Sequence, residues 1–157
     1  MSSRTIDQWL EAYGESHQDP TNKLIHWICV PGIFLTIAGL LWTIPQPDFM
    51  SISPYINWAT LTLIPIVLFY FRLSPAVAFG MGIFSLLCVG LVHWYAQNGP
   101  VGLAETCWTA FVLFWIMQFV GHKIEGKKPS FFEDLQFLLI GPAWVIGFTY
   151  RKLGIRY

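Results

Sequence analysis

Four long apolar segments dominate the chain, and they run over residues 24–44, 55–71, 75–95 and 103–120. Each approaches the ~20 residues that an α-helix needs to cross a lipid bilayer. The polar stretches between them are short and contain Pro, Gly, Asn and Asp, which commonly end helices. The pattern therefore predicts four membrane-spanning helices joined by short connections.

A fifth apolar run covers residues 131–150 and is less regular. Ser130 and Glu133 have the spacing of a capping box, which predicts that a helix starts there. Gly141 and Pro142 then divide the run into two halves, and this pair favours a break in the helix. The fifth run therefore differs from the four predicted spans.

The positions of Lys and Arg indicate how often the chain crosses the membrane. Cations precede the first apolar segment, follow the second and follow the fourth, whereas the other two connections contain none. Under the positive-inside rule, both ends of a four-span bundle then lie on the cytoplasmic side. Arg151, Lys152 and Arg156 favour the same side, which a fifth crossing would not allow. Residues 131–150 are therefore expected to form a broken, re-entrant or interfacial helical pair.

The N-terminal segment predicts a short amphipathic helix over residues 5–13. Thr5 and Gln8 have the spacing of a capping box. Large apolar side chains recur at helical spacing in this segment: Ile6, Trp9, Leu10 and Tyr13. We expect this apolar stripe to cover the end of the bundle. The segment has neither the apolar core nor the cleavage site of a signal peptide, so no signal peptide is expected.

Composition supports a membrane protein. Of the 157 residues, 55% are hydrophobic and only 11% are charged, whereas a soluble domain carries roughly 25% charged residues. The formal net charge of zero gives no bulk attraction to nucleic acid, so no nucleic-acid partner is expected. The three cysteines lie far apart and indicate neither a disulfide framework nor a zinc-thiolate site. The expected fold is one all-α domain, residues 1–157, forming a polytopic helical bundle in the lipid bilayer, with its oligomeric state left open.

The predicted topology separates the four histidines into two groups. His17 and His26 lie at the start of the first span, and His122 lies at the end of the fourth. All three are therefore expected at the cytoplasmic face. His93 lies near the opposite end of the third span, and we interpret it as an interface residue.

Two local patterns give these histidines polar neighbours. A helix that begins at Pro20 puts Asn22 and His26, four residues apart, on one face. His122 and Glu125, three residues apart, can also point to one side of their helix. A histidine and a carboxylate at this spacing are a usual way for one helix to offer two metal ligands.

The chemistry of this donor set points to a transition metal. Imidazole suits zinc, copper, iron and nickel, and two histidines with one carboxylate form the non-haem Fe(II) pattern. The alternative is that a histidine at the end of a span is an interface residue or a hydrogen-bonded partner. The residue pattern alone leaves both interpretations open.

Two motifs resemble the signatures of the membrane 2-hydroxy fatty acid dioxygenase family. The first is Tyr13-x-x-x-His17-x-x-Pro20-x-Asn22-x-x-x-His26, and the second is Gln118-x-x-Gly121-His122-x-x-Glu125. Their order, the spacing between them and the number of apolar segments also fit. The resemblance therefore covers nearly the whole chain.

This resemblance implies an Fe(II)-dependent dioxygenase that uses O2 to shorten a 2-hydroxy fatty acid by one carbon. The substrate would bind iron through its hydroxyl and carboxylate oxygens, so no 2-oxoglutarate is expected. Eukaryotic members place this activity at the endoplasmic reticulum, and a bacterial member would use the inner membrane. In both cases the site is expected on the cytoplasmic face.

The resemblance also implies roles for individual residues. The expected catalytic metal ligands are the three histidines of the motifs: His17, His26 and His122. Glu125 is expected as a fourth ligand or as the acceptor that orients one imidazole. The residues expected to contact the substrate or support the ligands are Tyr13, Asn22 and Gln118.

Two other classes of function remain open on the sequence. A non-catalytic lipid-binding or structural membrane protein would hold no stoichiometric metal, and replacing His122 would change its stability little. A zinc-dependent membrane hydrolase built on the same ligands would bind zinc and consume no oxygen. Metal content and oxygen uptake therefore distinguish the three classes.

Overall fold

A computed structural model describes residues 4–50, 52–129 and 136–157. Within these ranges the chain forms six α-helices and no strand. The helices are α1 (Ile6–Glu15), α2 (Pro20–Trp42), α3 (Trp58–Leu73), α4 (Pro75–Asn98), α5 (Leu103–Glu125) and α6 (Phe137–Lys152). A single turn of 3₁₀-helix, Asp48–Met50, lies between α2 and α3. The predicted all-α architecture is confirmed, and the molecule is an α-helical membrane bundle.

Three helices in the described ranges are long and apolar enough to cross a membrane: α2, α4 and α5, with 23, 24 and 23 residues. α3 is also apolar but has 16 residues. Its length is about 24 Å at 1.5 Å per residue, compared with a hydrocarbon core of about 30 Å. The helix starts late because the Asn57 side chain caps it by accepting a hydrogen bond from the Thr60 amide. The second of the four predicted spans therefore forms a helix shorter than the ~20 residues that cross a bilayer.

α2 is the central helix of the bundle. It packs against α5 over much of its length and also contacts α3, α4 and α6. α3 packs on α4, and α1 packs on α6. The buried apolar core contains residues of α1, of α6, of the end of α3 and of the start of α4. These residues are Ile6, Trp9, Leu10, Tyr13, Tyr70, Val77, Ala78, Met81, Phe137, Ile140, Ala143 and Trp144.

Many large apolar side chains point away from this core, and α5 has the most extensive exposed surface. Its exposed apolar residues are Trp108, Val112, Leu113, Ile116, Met117, Phe119, Val120 and Ile124. In water, an exposed apolar surface of this kind would cause the protein to aggregate. In a bilayer, the same surface makes favourable contacts with lipid chains. This arrangement accounts for the low fraction of charged residues in the sequence.

The predicted N-terminal amphipathic helix is confirmed. The Thr5 hydroxyl accepts a hydrogen bond from the Gln8 amide, and the Gln8 side chain accepts one from the Thr5 amide. The whole predicted apolar stripe of α1 is buried. The rings of Trp9 and Phe137 meet edge to face with centroids 5.2 Å apart. α1 therefore covers α6 with its apolar side.

The helix break predicted at Gly141 and Pro142 is wrong. α6 is a single helix from Phe137 to Lys152 that contains Pro142 in its interior. Proline removes one backbone hydrogen bond, but Gly141 and Pro142 are both buried in the bundle, where packing offsets the loss of that bond. The capping box expected at Ser130 and Glu133 lies outside the described residues.

Candidate metal centre

His17 lies in the loop between α1 and α2, and its ring is held from two directions. Its Nδ1 is 2.6 Å from the carbonyl oxygen of Tyr13, four residues earlier. The Tyr13 ring stacks on it, with centroids 4.2 Å apart and planes 13° apart. Because Nδ1 faces a carbonyl oxygen, it carries the hydrogen and leaves the lone pair on Nε2. The end of α1 therefore sets both the orientation and the tautomer of His17.

His26 occupies the second turn of α2 and is oriented in a similar way. Asp19 begins the helix, where its carboxylate accepts hydrogen bonds from the amides of Thr21 and Asn22 at 2.8 and 3.1 Å. One turn later, His26 Nδ1 lies 3.0 Å from the carbonyl oxygen of Asn22. This contact leaves Nε2 of His26 as the nitrogen with a free lone pair.

His122, near the end of α5, completes a cluster with the two other histidines. One ring nitrogen from each residue lies within 4.8 Å of the others. The ring centroids are 4.3 Å apart for His17 and His26, 4.7 Å for His26 and His122, and 5.0 Å for His17 and His122. The close packing of α2 on α5 joins the start of one helix to the end of the other. The three histidines that the sequence singled out thus meet at one point.

The nitrogens of this cluster fit a divalent metal ion. His17 Nε2, His26 Nε2 and His122 Nδ1 are buried and have no hydrogen-bond partner among the described residues. Each such atom costs about 1–3 kcal/mol when nothing binds it, so three at one point indicate a ligand. Burial lowers the pKa of His17 to about 4, and its ring is therefore neutral near pH 7. Neutral imidazoles suit iron, zinc, copper and nickel.

Glu125 occupies a different place from that expected of a metal ligand. Its two carboxylate oxygens accept hydrogen bonds from the amides of Gln18 and Asp19, both at 2.8 Å. A third hydrogen bond, of 3.1 Å, comes from Asn22 Nδ2. Among the described residues, the metal-compatible cluster consists of the histidines alone. Glu125 instead ties the end of α5 to the loop that carries His17.

Asn22 supports the same loop from α2. Its side chain is fully buried, and Nδ2 donates to the Ser16 carbonyl at 3.1 Å as well as to Glu125. Gly121 makes this arrangement possible, because a Cβ atom at that position would collide with Asn22 Oδ1. The glycine that precedes His122 in the second motif is therefore explained by the close approach of α5 to α2.

Replacing Gly121 with Ala is expected to destabilise the protein by about 1–3 kcal/mol, because the new methyl group overpacks against a fully buried side chain. The free energy of unfolding in detergent would measure this. Gly82→Ala on α4 is the matched control, since a Cβ at Gly82 meets nothing within 4 Å. The control is expected to be neutral or slightly stabilising, as Ala favours a helix over Gly. Equal stability of the two variants would contradict the proposed close contact.

An apolar cavity of about 440 Å³ extends from the histidines into the bundle. Its polar lining is concentrated at the histidine end: Tyr13, His17, His26, Gln118 and His122. The rest of the wall comes mainly from apolar residues of α2, α3, α5 and α6. Among the described residues, no Lys, Arg, Asp or Glu lines it. A mostly apolar cavity with a few polar groups at one end is typical of a site for a small amphiphilic molecule.

Tyr13 and Gln118 are the two uncharged polar residues beside the histidines in this cavity. Both are buried. Burial raises the pKa of the Tyr13 hydroxyl above its ordinary value, so the hydroxyl stays protonated and can donate a hydrogen bond. Gln118 lies one helical turn before His122 on α5. The sequence predicted both positions as substrate or supporting residues, and both side chains line the cavity.

His93 is separate from the cluster, as the predicted topology indicated. Its ring lies beside those of Trp42 and Tyr55, with centroids 5.6 and 5.2 Å away. Its Nε2 is 3.0 Å from Gln97 Nε2 on the same helix. His93 is therefore a natural control residue for experiments on the histidine cluster.

Trp144 of α6 is a neighbour of the cluster that the sequence did not predict. Its ring centroid lies 5.5 Å from that of His17 and 5.6 Å from that of Tyr13. Trp144 thus packs beside His17 and Tyr13 and helps to enclose the histidine cluster on the side where α1 lies. No local motif marks this residue, because its partners are at the other end of the chain.

Comparison with known proteins identifies the family. Residues 3–153 match the family described as 2-hydroxy-palmitic acid dioxygenase Mpo1-like. The 2-hydroxy-palmitic acid dioxygenase MPO1 of Saccharomyces cerevisiae is 26% identical over 143 residues, which cover 88% of this chain and 75% of that protein. No solved structure matches the chain. Because the family match extends over nearly the whole sequence, this protein belongs to the 2-hydroxy-palmitic acid dioxygenase Mpo1-like family.

Proposed function

We propose that this protein is an Fe(II)-dependent dioxygenase that converts a 2-hydroxy fatty acid into the fatty acid one carbon shorter. The observation that carries the proposal is the cluster of three buried histidine nitrogens without hydrogen-bond partners at the end of an apolar cavity. The family membership supports the same reaction class. A yeast relative is named for 2-hydroxy-palmitic acid, which has the polar head and apolar chain that such a cavity fits.

The proposed metal ligands are His17, His26 and His122. The carbonyl contacts at Nδ1 of the first two hold their rings so that Nε2 faces the cluster. When bound, ferrous iron supplies the positive charge that an acidic head group needs and the redox chemistry that a reaction with O2 requires. Glu125 acts as a positioning residue, because it fixes the loop that carries His17.

The two ends of the proposed substrate differ chemically, and each would contact a different part of the cavity wall. The acyl chain would lie along the apolar walls, which exclude water from the reacting carbon atoms. Tyr13 and Gln118 line the cavity beside the histidines, and in this proposal they hydrogen-bond the carboxylate or hydroxyl oxygens. A carboxylate in an apolar cavity needs a compensating charge, and the described wall contains no cationic side chain. This charge deficit favours a metal centre over a metal-free lipid site.

The proposed reaction balances with O2 as the single co-substrate. The bond between C1 and C2 breaks, the carboxyl carbon leaves as carbon dioxide, and C2 becomes the new carboxyl group. The remaining oxygen atom is released as water. The acid loses four electrons and O2 accepts four, so no 2-oxoglutarate or other reductant is needed.

We also propose that the histidine end of the bundle faces the cytoplasm. Lys23 follows the start of α2, and Lys123, Lys127 and Lys128 lie at or beyond the end of α5 where His122 is located. Cations near the ends of spans remain on the cytoplasmic side. A cysteine-accessibility measurement at Lys127 in sealed cells or vesicles would test this orientation.

The central experiment is oxygen uptake by protein purified in detergent without exposure to air. We expect about one iron per chain, and consumption of oxygen on addition of 2-hydroxypalmitate without 2-oxoglutarate. Mass spectrometry should find pentadecanoate in amounts equal to the oxygen consumed. Palmitate, which lacks the 2-hydroxyl group, is the control substrate and should cause no uptake.

The alternative functions give different results in the same experiment. Bound zinc with no oxygen uptake would favour a hydrolase and overturn the dioxygenase proposal. Protein without any stoichiometric metal, and with unchanged stability in a His122 variant, would favour a lipid-binding membrane protein. Either result would leave the described geometry intact but change its function.

A further inference from the structure

Residues over a long stretch of α2, from His26 to Leu41, line the apolar cavity. The α2 residues that line it recur every three or four positions, which places them on one side of the helix: His26, Val30, Ile33, Phe34, Ile37, Ala38 and Leu41. Leu41 follows His26 by 15 residues. At 1.5 Å per residue, the lined stretch of α2 is about 22 Å long.

The far end of the cavity lies where α2 ends and α3 begins. Trp58, at the start of α3, donates a hydrogen bond from Nε1 to the Pro45 carbonyl, just after α2, at 3.1 Å. This contact places Ala59, the next residue of α3, at the same end as Leu41. Ala38, Leu41 and Ala59 all line the cavity, and both alanines are almost fully buried. We call these three residues the distal floor.

The length of the cavity can be converted into a number of carbon atoms. With C–C bonds of about 1.5 Å and angles near 110°, an extended acyl chain advances about 1.25 Å per carbon. A slot of about 22 Å therefore holds about 16–18 carbons. From this match we propose that the distal floor, Ala38, Leu41 and Ala59, sets the longest acyl chain that the protein accepts. This inference rests on the proposed function for the identity of the substrate, but it concerns a different end of the cavity.

The chemistry of the three residues gives the direction of each expected change. Ala38→Leu and Ala59→Leu add side-chain atoms at the floor and should shorten the preferred chain by about two carbons. Leu41→Ala removes atoms and should lengthen it by a similar amount. Each methylene of the acyl chain that is no longer buried against apolar residues lowers the binding affinity about fourfold. A mismatch of two carbons should therefore weaken binding by roughly fifteenfold.

Ala96→Leu on α4 is the matched control. Ala96 is exposed and lies outside the cavity, so the same added atoms should leave the chain-length profile unchanged. Leu41→Ala adds no volume and cannot overpack. It therefore keeps the proposal testable even if one of the leucine variants fails to fold.

The experiment measures two chain-length profiles for each protein. One is oxygen uptake with 2-hydroxy fatty acids of roughly 10 to 20 carbons. The other is equilibrium binding of the corresponding unsubstituted saturated acids, followed by tryptophan fluorescence, since Trp115 lines the cavity. We expect the optimum to move to shorter chains in the alanine-to-leucine variants and to longer chains in Leu41→Ala.

The outcomes separate this inference from the proposed function. Identical binding profiles in the native protein and all floor variants would overturn the role of the distal floor. Shifted binding profiles without oxygen uptake in any protein would support the floor and reject the dioxygenase activity. Shifts of both profiles in the expected directions would support both.

Discussion

Replacing His122 with Ala is expected to leave the purified protein without iron and with less than about one hundredth of its native oxygen uptake. His122 provides one of three converging nitrogens, and loss of even a supporting group outside the ligand set typically costs 10–100-fold in metal affinity or activity. Iron content, measured beside the rate of oxygen uptake with 2-hydroxypalmitate, tests both effects in one preparation. The same result is expected for His17→Ala and His26→Ala.

His93→Ala is the matched control for these variants. It removes an identical ring from the other end of the bundle, where that ring contacts Trp42 and Tyr55. We expect normal iron content and normal activity. Loss of iron from the His93 variant, or full retention of iron in the His122 variant, would contradict a centre formed by the three clustered histidines.

The second large effect is expected at Glu125. Glu125→Ala removes the acceptor of three hydrogen bonds and leaves the amides of Gln18 and Asp19 without that partner. The loop that carries His17 then loses its hydrogen bonds to the end of α5. We expect metal affinity to fall by about 10–100-fold, the range found for groups that orient metal ligands. Iron retained during titration with a competing chelator would measure this fall.

Two further variants separate a positioning role from direct metal binding. Glu125→Gln keeps one acceptor oxygen but replaces the other with an NH2 group, which faces N–H donors and cannot accept from them. An intermediate loss of metal affinity is therefore expected. Glu105→Ala, at the exposed opposite end of α5, is the control and should have no effect. If the spectrum of bound Co(II) changed its ligand pattern in Glu125→Gln, Glu125 would be a ligand rather than a positioning residue.

Local sequence signals predicted the start of the chain well. The capping box at Thr5 and the apolar stripe of α1 involve residues within a few positions of each other, so the pattern contains nearly all the relevant information. The start of α2 at Pro20, with its Asp19 cap, is predictable for the same reason. These features depend on neighbouring residues along the chain and little on the rest of the fold.

The sequence was less informative where packing outweighs local preference. Gly141 and Pro142 predict a break, yet α6 continues through them because both are buried in the bundle. The position of α3 was also shifted, since the segment predicted over residues 55–71 forms a helix from Trp58 to Leu73, and the apolar residues before Trp58 lie outside it. Hydropathy records that a segment is apolar, but it does not record where the backbone leaves the helix.

For the candidate site, the sequence by itself determined which histidines share one end of the bundle. The positive-inside pattern and the order of the spans placed His17, His26 and His122 at one end of the bundle, and His93 elsewhere. Only the tertiary structure decided what surrounds them. Glu125 bonds to backbone amides more than 100 residues away, and the cavity is built from five helices and the histidine loop. Such contacts depend on how α2 packs against α5 and α6, and no spacing within a single segment of the chain specifies them.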